Sequence, residues 1–463
     1  MTNLATEEGT SYGPELLVRL RGGRRRAQLE DRLRELVRDG TLGAGSRMPS
    51  SRALAGDLGV SRRLVVDAYA QLLAEGYLLA RQGAGTFVAA AGALERETPA
   101  PQATSALQFD FFPGAPDLAS FPRALWLRAT REVLRAAPDS SFAYPDARGA
   151  PALRAALAAY LRRVRGVVVE PDAIVVCSGA TQGLALLGRA LLRLDMRSID
   201  VEDPGLPPHR GVLAYAGLDV HGVPVDEEGI DVEALSAPVA LTTPAHQCPT
   251  GVVLSPRRRG ELVRWARAGG IVIEDDYDAE FRYDRAPLGA LQGLAPASVV
   301  YLGTVSKTLA PGLRLGWLVL PPTLLDAVVE AKALDDLGCS ALEQLVLARL
   351  LETSAYDRHL RRARRRNRAR RDALLAAVAR ELPGARVSGV SAGLHALVHL
   401  PRAVELQALL PAAAERSLGV YPRELHRIEP RAHDDALVMG YANLSEPAIA
   451  EGVRRLAEVI GGL

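Results

Sequence analysis

From about residue 108 to the C-terminus, short apolar runs alternate with stretches of helical period, and this alternation restricts the fold more than any other feature of the chain. "AIVVC", "SIDVED", "PVALTT", "GGIVIEDD" and "SVVYLGT" are too short for helices and too continuously apolar for half-exposed strands. They read as buried strands of the parallel kind. Stretches such as "QGLALLGRALLRL", with apolar residues at helical spacing, lie between them. That order predicts an α/β domain.

The chain before this region is different in kind. Its 463 residues leave room for about two to four domains. Residues 89–107, "AAGALERETPAPQATSALQ", are small, polar and proline-containing, the composition of a linker. Residues 14–88 read as a compact helical unit closed by a hairpin. In "QLEDRLRELVRDGTL", Leu29, Leu33, Leu36 and Val37 form one helical face and Gly40 supplies a stop. Ser50 and Ser61 are candidate N-caps for two short helices separated by "DLGVS", a helix-turn-helix spacing. "YLLARQGAGTFVAA" alternates around a glycine-rich turn and predicts a two-stranded wing.

Net charge is only +2, yet residues 11–90 hold thirteen arginines against eight acids. One basic end on a near-neutral body points to an anionic partner for that end. A helix-turn-helix places the start of its second helix at base edges, and here that start is Ser61, Arg62 and Arg63. Arginine pairs bidentately with guanine, and serine can hold a phosphate. Arg47 and Arg52 precede them, and Gln82 and Gly83 form the tip of the wing. The bland alternative is a solvated face. "GTLGAGSRMPSSRALAGDLGVSRRLVVDAYAQLLAEGYLLARQGAGTFV" resembles the GntR-type winged helix-turn-helix nearly throughout. The resemblance implies that Arg52, Ser61, Arg62, Arg63 and Gly83 fall where such domains touch DNA. The family's "SRxTV" is "SRRLV" here, which implies an altered operator preference at Arg63 and Leu64.

Of the 56 basic residues only Lys307 and Lys332 are lysines. Lysine can lose a proton and attack a carbonyl, and arginine effectively cannot. Lys332, in "LLDAVVEAKALDDL", reads as a surface residue among acids. Lys307, in "GTVSKTLAPGLRLGW", has hydroxyls beside it at Thr304 and Ser306, and Arg314 follows a Pro-Gly turn. "VVCSGATQG" reads as a strand, a turn and a helix start, so Ser178, Gly179, Ala180 and Thr181 are placed to offer backbone N–H groups to a phosphate. "IVIEDDYD" ends a strand in Asp275 and Asp276, followed by Tyr277. Taken alone, that acidic end also suits a solvated strand terminus. Together these groups are what pyridoxal 5′-phosphate requires: a lysine for its aldehyde, an acid for its ring nitrogen and a phosphate cradle.

The order and wording from "FDFFPGAPDLASFP" to "GYANLSEPAIAEGVRRLAEVI" resemble the fold-type I, aspartate-aminotransferase-like PLP enzymes. The resemblance implies Lys307 as the Schiff-base lysine, Asp275 at the ring nitrogen and Tyr277 at the ring hydroxyl. It implies Thr304, Ser306, Arg314 and the Ser178–Thr181 turn at the phosphate, with Tyr144 lent to the phosphate of a second subunit. It also implies a large cofactor-binding part over about 150–330 and a small part over 331–463 within residues 108–463. Three positions depart from the enzymes. Cys248 stands where "NPTG" brings an asparagine, with His246 or Gln247 as substitutes. Leu206 stands where related proteins put an aromatic, and Val438 where many aminotransferases carry the substrate-carboxylate arginine, with Arg210, Arg423 or Arg427 as possible compensation.

A GntR-like unit joined by a linker to such a module is similar to the MocR/GabR class of transcriptional regulators. That implies a homodimer that binds double-stranded operator DNA and senses PLP or an amino compound. The alternative is a working aminotransferase with a DNA-binding arm. No apolar run is long enough for a membrane span, no signal peptide is evident, and the three scattered cysteines suit neither a disulfide framework nor a metal site. A reducing cytoplasm is the expected location. "RHLRRARRRNRARRDALL" predicts a helix with charge around most of its surface, either simply solvated or steering DNA.

Overall fold

The computed structural model describes residues 20, 23–89, 107–284, 288–389, 391–429 and 433–463. The chain divides into two compact units, Met1–Thr104 and Ser105–Leu463. Residues 90–106, most of the expected linker, and residues 14–19, the start of the expected helical unit, lie outside the described residues.

In the first unit, α1 (Arg25–Arg38), α2 (Ser51–Leu58) and α3 (Arg62–Ala74) precede the hairpin β1 (Leu78–Arg81) and β2 (Gly85–Val88). The expected apolar face of α1 is buried at Leu29, Leu33, Leu36 and Val37, against Leu54, Val65, Ala68 and Leu72. Ser50 Oγ accepts from the Ala53 N–H at 3.1 Å and Ser61 Oγ from the Leu64 N–H at 3.3 Å, so both serines are N-caps. Gly59 ends α2 in the left-handed conformation.

The second unit is built on an eight-stranded sheet. After the short β3 (Phe109–Asp110), α4 (Arg123–Ala136) and α5 (Pro151–Arg165), the sheet begins with β4 (Ile174–Cys177) and α6 (Ala180–Arg193). β5 (Ser198–Asp203), α7 (Pro207–Tyr215), β6 (Asp219–Asp226), β7 (Gly229–Ile230) and β8 (Val239–Thr242) follow. α8 (Pro256–Arg267), β9 (Ile271–Asp276), β10 (Val299–Thr304) and β11 (Gly316–Val319) complete it. The strand order is β4-β11-β10-β9-β8-β5-β6-β7. Every expected strand forms, but the sheet is mixed: β11 runs antiparallel to both β10 and β4. Residues 305–315 are too short for a helical crossover, so the chain can only turn back. The β10–β11 return carries Lys307 and Arg314 at the carboxyl ends of the parallel strands.

Helices cover both faces. α4 and α5 share one apolar cluster with α10 (Ala341–Glu352), and α6 shares the other with α9 (Pro322–Asp336). A separate core is formed by the sheet of β12 (Arg386–Ser388), β13 (His395–Glu405) and β15 (His433–Gly440) with α12 (Leu406–Glu415), β14 (Leu418–Gly419) and α13 (Glu446–Gly461). The switch between cores falls inside α11 (Ala355–Glu381), not at the expected residue 331. Tyr356 and Leu360 belong to the large-part core, and Ala363, Leu374 and Val378 to the other.

α11 also corrects the reading of the arginine run. Its charge does not surround it: Tyr356, His359, Leu360, Ala363, Asn367 and Leu374 form a buried face. Arg364 donates to the Glu280 carbonyl, and Arg370 pairs with Asp117 at 2.9 Å and donates to the Ala442 carbonyl. Arg361, Arg362, Arg365 and Arg368 stay exposed.

Lys332 is a second correction. It is wholly buried, with Nζ between the Asp336 carboxylate and Cys339 Sγ at 3.2 Å. Lys332 follows Leu324 and Val328 at steps of four along α9, so it lies on the face that packs against the sheet. Removing one partner of a buried ion pair strands the other charge. Asp336→Ala is therefore expected to lower stability by about 3–5 kcal/mol. Lys332→Met removes the buried charge and leaves Asp336 partly exposed with Gln182 and the Gly338 N–H as partners, so it is expected to cost less than Asp336→Ala. Urea denaturation of both variants checks the order.

Candidate functional site

The carboxyl ends of the strands surround a cavity of about 490 Å³ lined by Lys307, Asp275, Tyr277, Thr304, Ser306, Arg314, Ala180 and Thr181 among others. Sequence-distant loops meet there because the parallel register places Asp275 beside Leu302, and the return strand places Gly316 beside both Thr304 and Cys177.

Strand alternation separates the two aspartates of β9. Asp276 turns to one face, where Arg165 donates to its two oxygens at 2.7 and 3.0 Å and Tyr301 Oη donates at 2.6 Å. Asp275 turns to the cavity, and neither of its buried oxygens has a hydrogen bond. His209 Nδ1 is 3.5 Å from Asp275 Oδ2, but burial, then the nearby Lys307, lowers the histidine to about 4. A neutral imidazole at that distance makes no ion pair. Burial pushes the Asp275 carboxyl well above its ordinary range, and the like charges of Asp276 and Asp278 add to this.

Lys307 Nζ donates to the Gly114 carbonyl at 2.8 Å. Burial lowers its basicity, opposed by Asp278, Cys248 and Asp275. Gly114 has φ +77°, and a Cβ there would stand 3.1 Å from Nζ, so the close approach requires glycine. Arg314 has a left-handed backbone, φ 51°, and its guanidinium donates to the Ser178 carbonyl. A Cβ on Gly179 would lie 3.1 Å from that guanidinium. Thr304 Oγ1 and Ser306 Oγ are 2.8 Å apart. The Ala180 and Thr181 N–H groups at the start of α6 make no backbone hydrogen bond. Ser178 differs from expectation: its N–H is bonded to Gln182 Oε1 at 2.7 Å and its hydroxyl faces Cys339 Sγ at 3.4 Å. Tyr144 projects into solvent, 89% exposed.

Cys248 and Leu206 both line the cavity. Gln247 is spent on structure, donating to Glu202 Oε2 and the Pro204 and Cys248 carbonyls. His246 Nδ1 lies 3.0 Å from Asp278 Oδ2, and Tyr277 Oη donates to the His246 carbonyl at 3.0 Å. Val438 is in the apolar core with Leu397 and Ala436. Arg210 donates to the His426 and Arg427 carbonyls, Arg427 pairs with Glu424, and Arg423 with Asp435. None of the three lines the cavity; among the described residues Arg314 is the only arginine that does. Sequence reasoning missed the histidines His209, His395 and His426 in the cavity wall. For His209 the signal was its place in "EDPGLPPHR", just beyond a strand end; the others carry no local signal.

In the first unit, Arg47, Arg52, Ser61, Arg62, Arg63, Gln82 and Gly83 are all exposed. Arg47 forms a bridge with Phe87 of the wing. Arg62 Nε reaches Ser51 Oγ at 3.5 Å, and Arg63 Nε is 4.0 Å from Asp67. Arg47, Arg52 and Arg62 have no carboxylate partner among the described residues, so their charge is free for an anionic ligand.

The description "Aminotransferase class I and II" matches residues 114–442, and "Bacterial regulatory proteins, gntR family" matches residues 25–88. The HTH-type pyridoxine biosynthesis transcriptional regulator PdxR of Corynebacterium glutamicum is 33% identical over 94% of this chain and 95% of its own. The probable rhizopine catabolism regulatory protein MocR of Rhizobium meliloti is 32% identical over 93% and 92%. Among solved structures, a Pyrococcus horikoshii kynurenine aminotransferase superposes with a TM-score of 0.71 at 27% identity, covering 78% of this chain and 92% of its own.

The buried histidines give the site a pH signature. His209 and His426 are both lowered to about 4 by burial. Between about 4 and the ordinary histidine value near 6.5 the unfolded chain binds protons that the folded chain does not. Their contribution is complete above that window and lost as pH falls through it. His209→Gln and His426→Gln are each expected to flatten the pH dependence of the urea midpoint between pH 6.5 and 4.

Proposed function

Because the chain belongs to the family in which a gntR-type helix-turn-helix precedes an aminotransferase class I and II domain, we propose that it regulates transcription under control of pyridoxal 5′-phosphate. In this reading the first unit binds double-stranded operator DNA and the cavity of the second holds the cofactor and senses it, or an amino compound. The observation that carries the cofactor is Asp275. A buried carboxyl with no hydrogen bond is costly, and a ring N–H⁺ is the partner it lacks.

The other residues fit the same group. Lys307 supplies an amine of lowered basicity. Tyr277 and Cys248 lie at the cavity wall for the ring oxygen; the thiol is a weak partner, and Tyr277 becomes the stronger donor once its hydroxyl turns from the His246 carbonyl. Arg314, Thr304, Ser306 and the helix start at Gly179–Thr181 form the phosphate cradle, with Ser178 contributing only its carbonyl to Arg314. When bound, the cofactor supplies an aldehyde that holds amines reversibly. The chain's own residues keep the ring nitrogen protonated through Asp275, anchor the phosphate through Arg314, and exclude water through Leu206 and Phe112.

Two features support a homodimer. Tyr144 stands free of its own chain, ready to serve a second copy's phosphate, and paired half-sites suit a two-fold protein. Control is then linkage: the ligand must favour one arrangement of the dimer over another, and DNA affinity changes by that difference. Acting on DNA places the protein in the cytoplasm; no helix of the described residues is long and apolar enough to cross a membrane.

A working aminotransferase is the second reading, favoured by the retained Lys307 and Asp275. The lack of a cavity arginine other than Arg314 among the described residues, with Val438 in the core, counts against it. Sustained keto-acid production from a panel of amino acids would favour the enzyme.

Mixing the pure protein with PLP is expected to produce a visible absorption band, and borohydride reduction to label Lys307; Lys307→Ala abolishes both. A label on Lys332, or none, would sink the cofactor assignment. For DNA, Arg52→Ala with Arg62→Ala is expected to abolish operator retardation while leaving the absorption band unchanged, since each contact is worth about 1–3 kcal/mol. Retained sequence-specific retardation would place the reading surface elsewhere.

A further inference from the structure

Of the three histidines in the cavity wall, His209, His395 and His426, one has a fully buried ring nitrogen without a hydrogen bond. His395 opens β13, is buried, and lines the cavity, yet its Nε2 has no hydrogen-bond partner. Its ring lies 4.9 Å from that of His246. The potential ligand atoms of His246, Asp278 and His395 are all within 4.8 Å of one another. A divalent cation and a hydrogen-bonding ligand are the two kinds of occupant such a cluster can take. His246 Nδ1 and Asp278 Oδ2 are already paired at 3.0 Å, and Gly393 closes over that pair. A Cβ on Gly393 would stand 2.4 Å from Nδ1 and 2.7 Å from Oδ2, so the backbone crowds that side of the cluster. The unspent group is then His395 Nε2.

Its surroundings define what it can accept. Burial holds His395 well below the ordinary histidine value, with His246 and His426 acting in the same direction and the Pro249 carbonyl opposing them. The Asp278 carboxylate is close by, and no arginine apart from Arg314 lines the cavity among the described residues. A ligand carboxylate at this position would be desolvated beside another carboxylate, and the cavity's cations, Lys307 and Arg314, are the ones the cofactor's aldehyde and phosphate engage. A hydroxyl or a second amine would satisfy the orphaned nitrogen and complement Asp278.

Resting on the cofactor reading above, we propose that His395 is the effector-selecting residue, and that the effector is an amine whose far end is a hydrogen-bond donor rather than a carboxylate. The test uses full-length, PLP-loaded protein titrated with 3-amino-1-propanol, 1,3-diaminopropane and 3-aminopropanoate, followed by calorimetry and by the visible absorption of the bound cofactor. The alcohol or the diamine is expected to half-saturate at a concentration roughly tenfold or more below that of the carboxylate. His395→Leu is expected to bring the three within about twofold while leaving the starting absorption unchanged, and His395→Asn to keep part of the preference. Equal half-saturation in the wild type, or a preference that survives His395→Leu, overturns the proposal. Should His395→Leu fail to fold, loss of the preference in His395→Asn supports it and full retention overturns it. Stoichiometric zinc binding that His395→Leu abolishes also overturns it, by making the cluster a metal site. Absence of any cofactor absorption in the wild type is a different failure, that of the cofactor reading.

Discussion

The second unit depends on the unequal treatment of two adjacent carboxylates. Asp275 and Asp276 are neighbours on one strand, and the period of two sends them to opposite faces. On one face Arg165 and Tyr301 neutralise Asp276 and tie β9 to α5 and β10. On the other, Asp275 is buried without a partner. Such a group calls for an explanation, and the proposed cofactor is the one that the lysine, arginine and helix start around it suit.

The return from β10 to β11 gives this arrangement its geometry. Because the loop is short, β11 must run backwards between β4 and β10, which brings the β4–α6 turn against the residues that follow Lys307. Glycine at 114 lets the strap before α4 approach the lysine, and glycine at 179 lets Arg314 fold back over the turn.

The first unit is organised on the opposite principle. Its interior is a small apolar core secured by two serine caps, and Arg34 of α1 pairs with Glu75 at the end of α3 at 2.6 Å. Arg47, Arg52 and Arg62 on its surface are left without acids among the described residues. α11 makes the contrast clear: the densest arginine run in the chain includes internal struts to Asp117, Glu280 and Ala442.

The helix-turn-helix, its caps, the wing and the buried strands β4, β5, β8, β9 and β10 were legible in the chain, because they rest on periodicities and end signals that span only a few residues. Lys307, Asp275, Tyr277 and Arg314 were legible because each sits in a recognisable run at a strand end. Other features came from contacts between residues far apart in the chain. They include the antiparallel strand, the burial of Lys332, the turning away of Ser178 and the crossing of α11 between two cores. The meeting of His246, Asp278 and His395 belongs with them. Local pattern sets what each segment becomes, whereas the depth and partners of a side chain are decided by which segments pack over it, and only the folded chain brings those together.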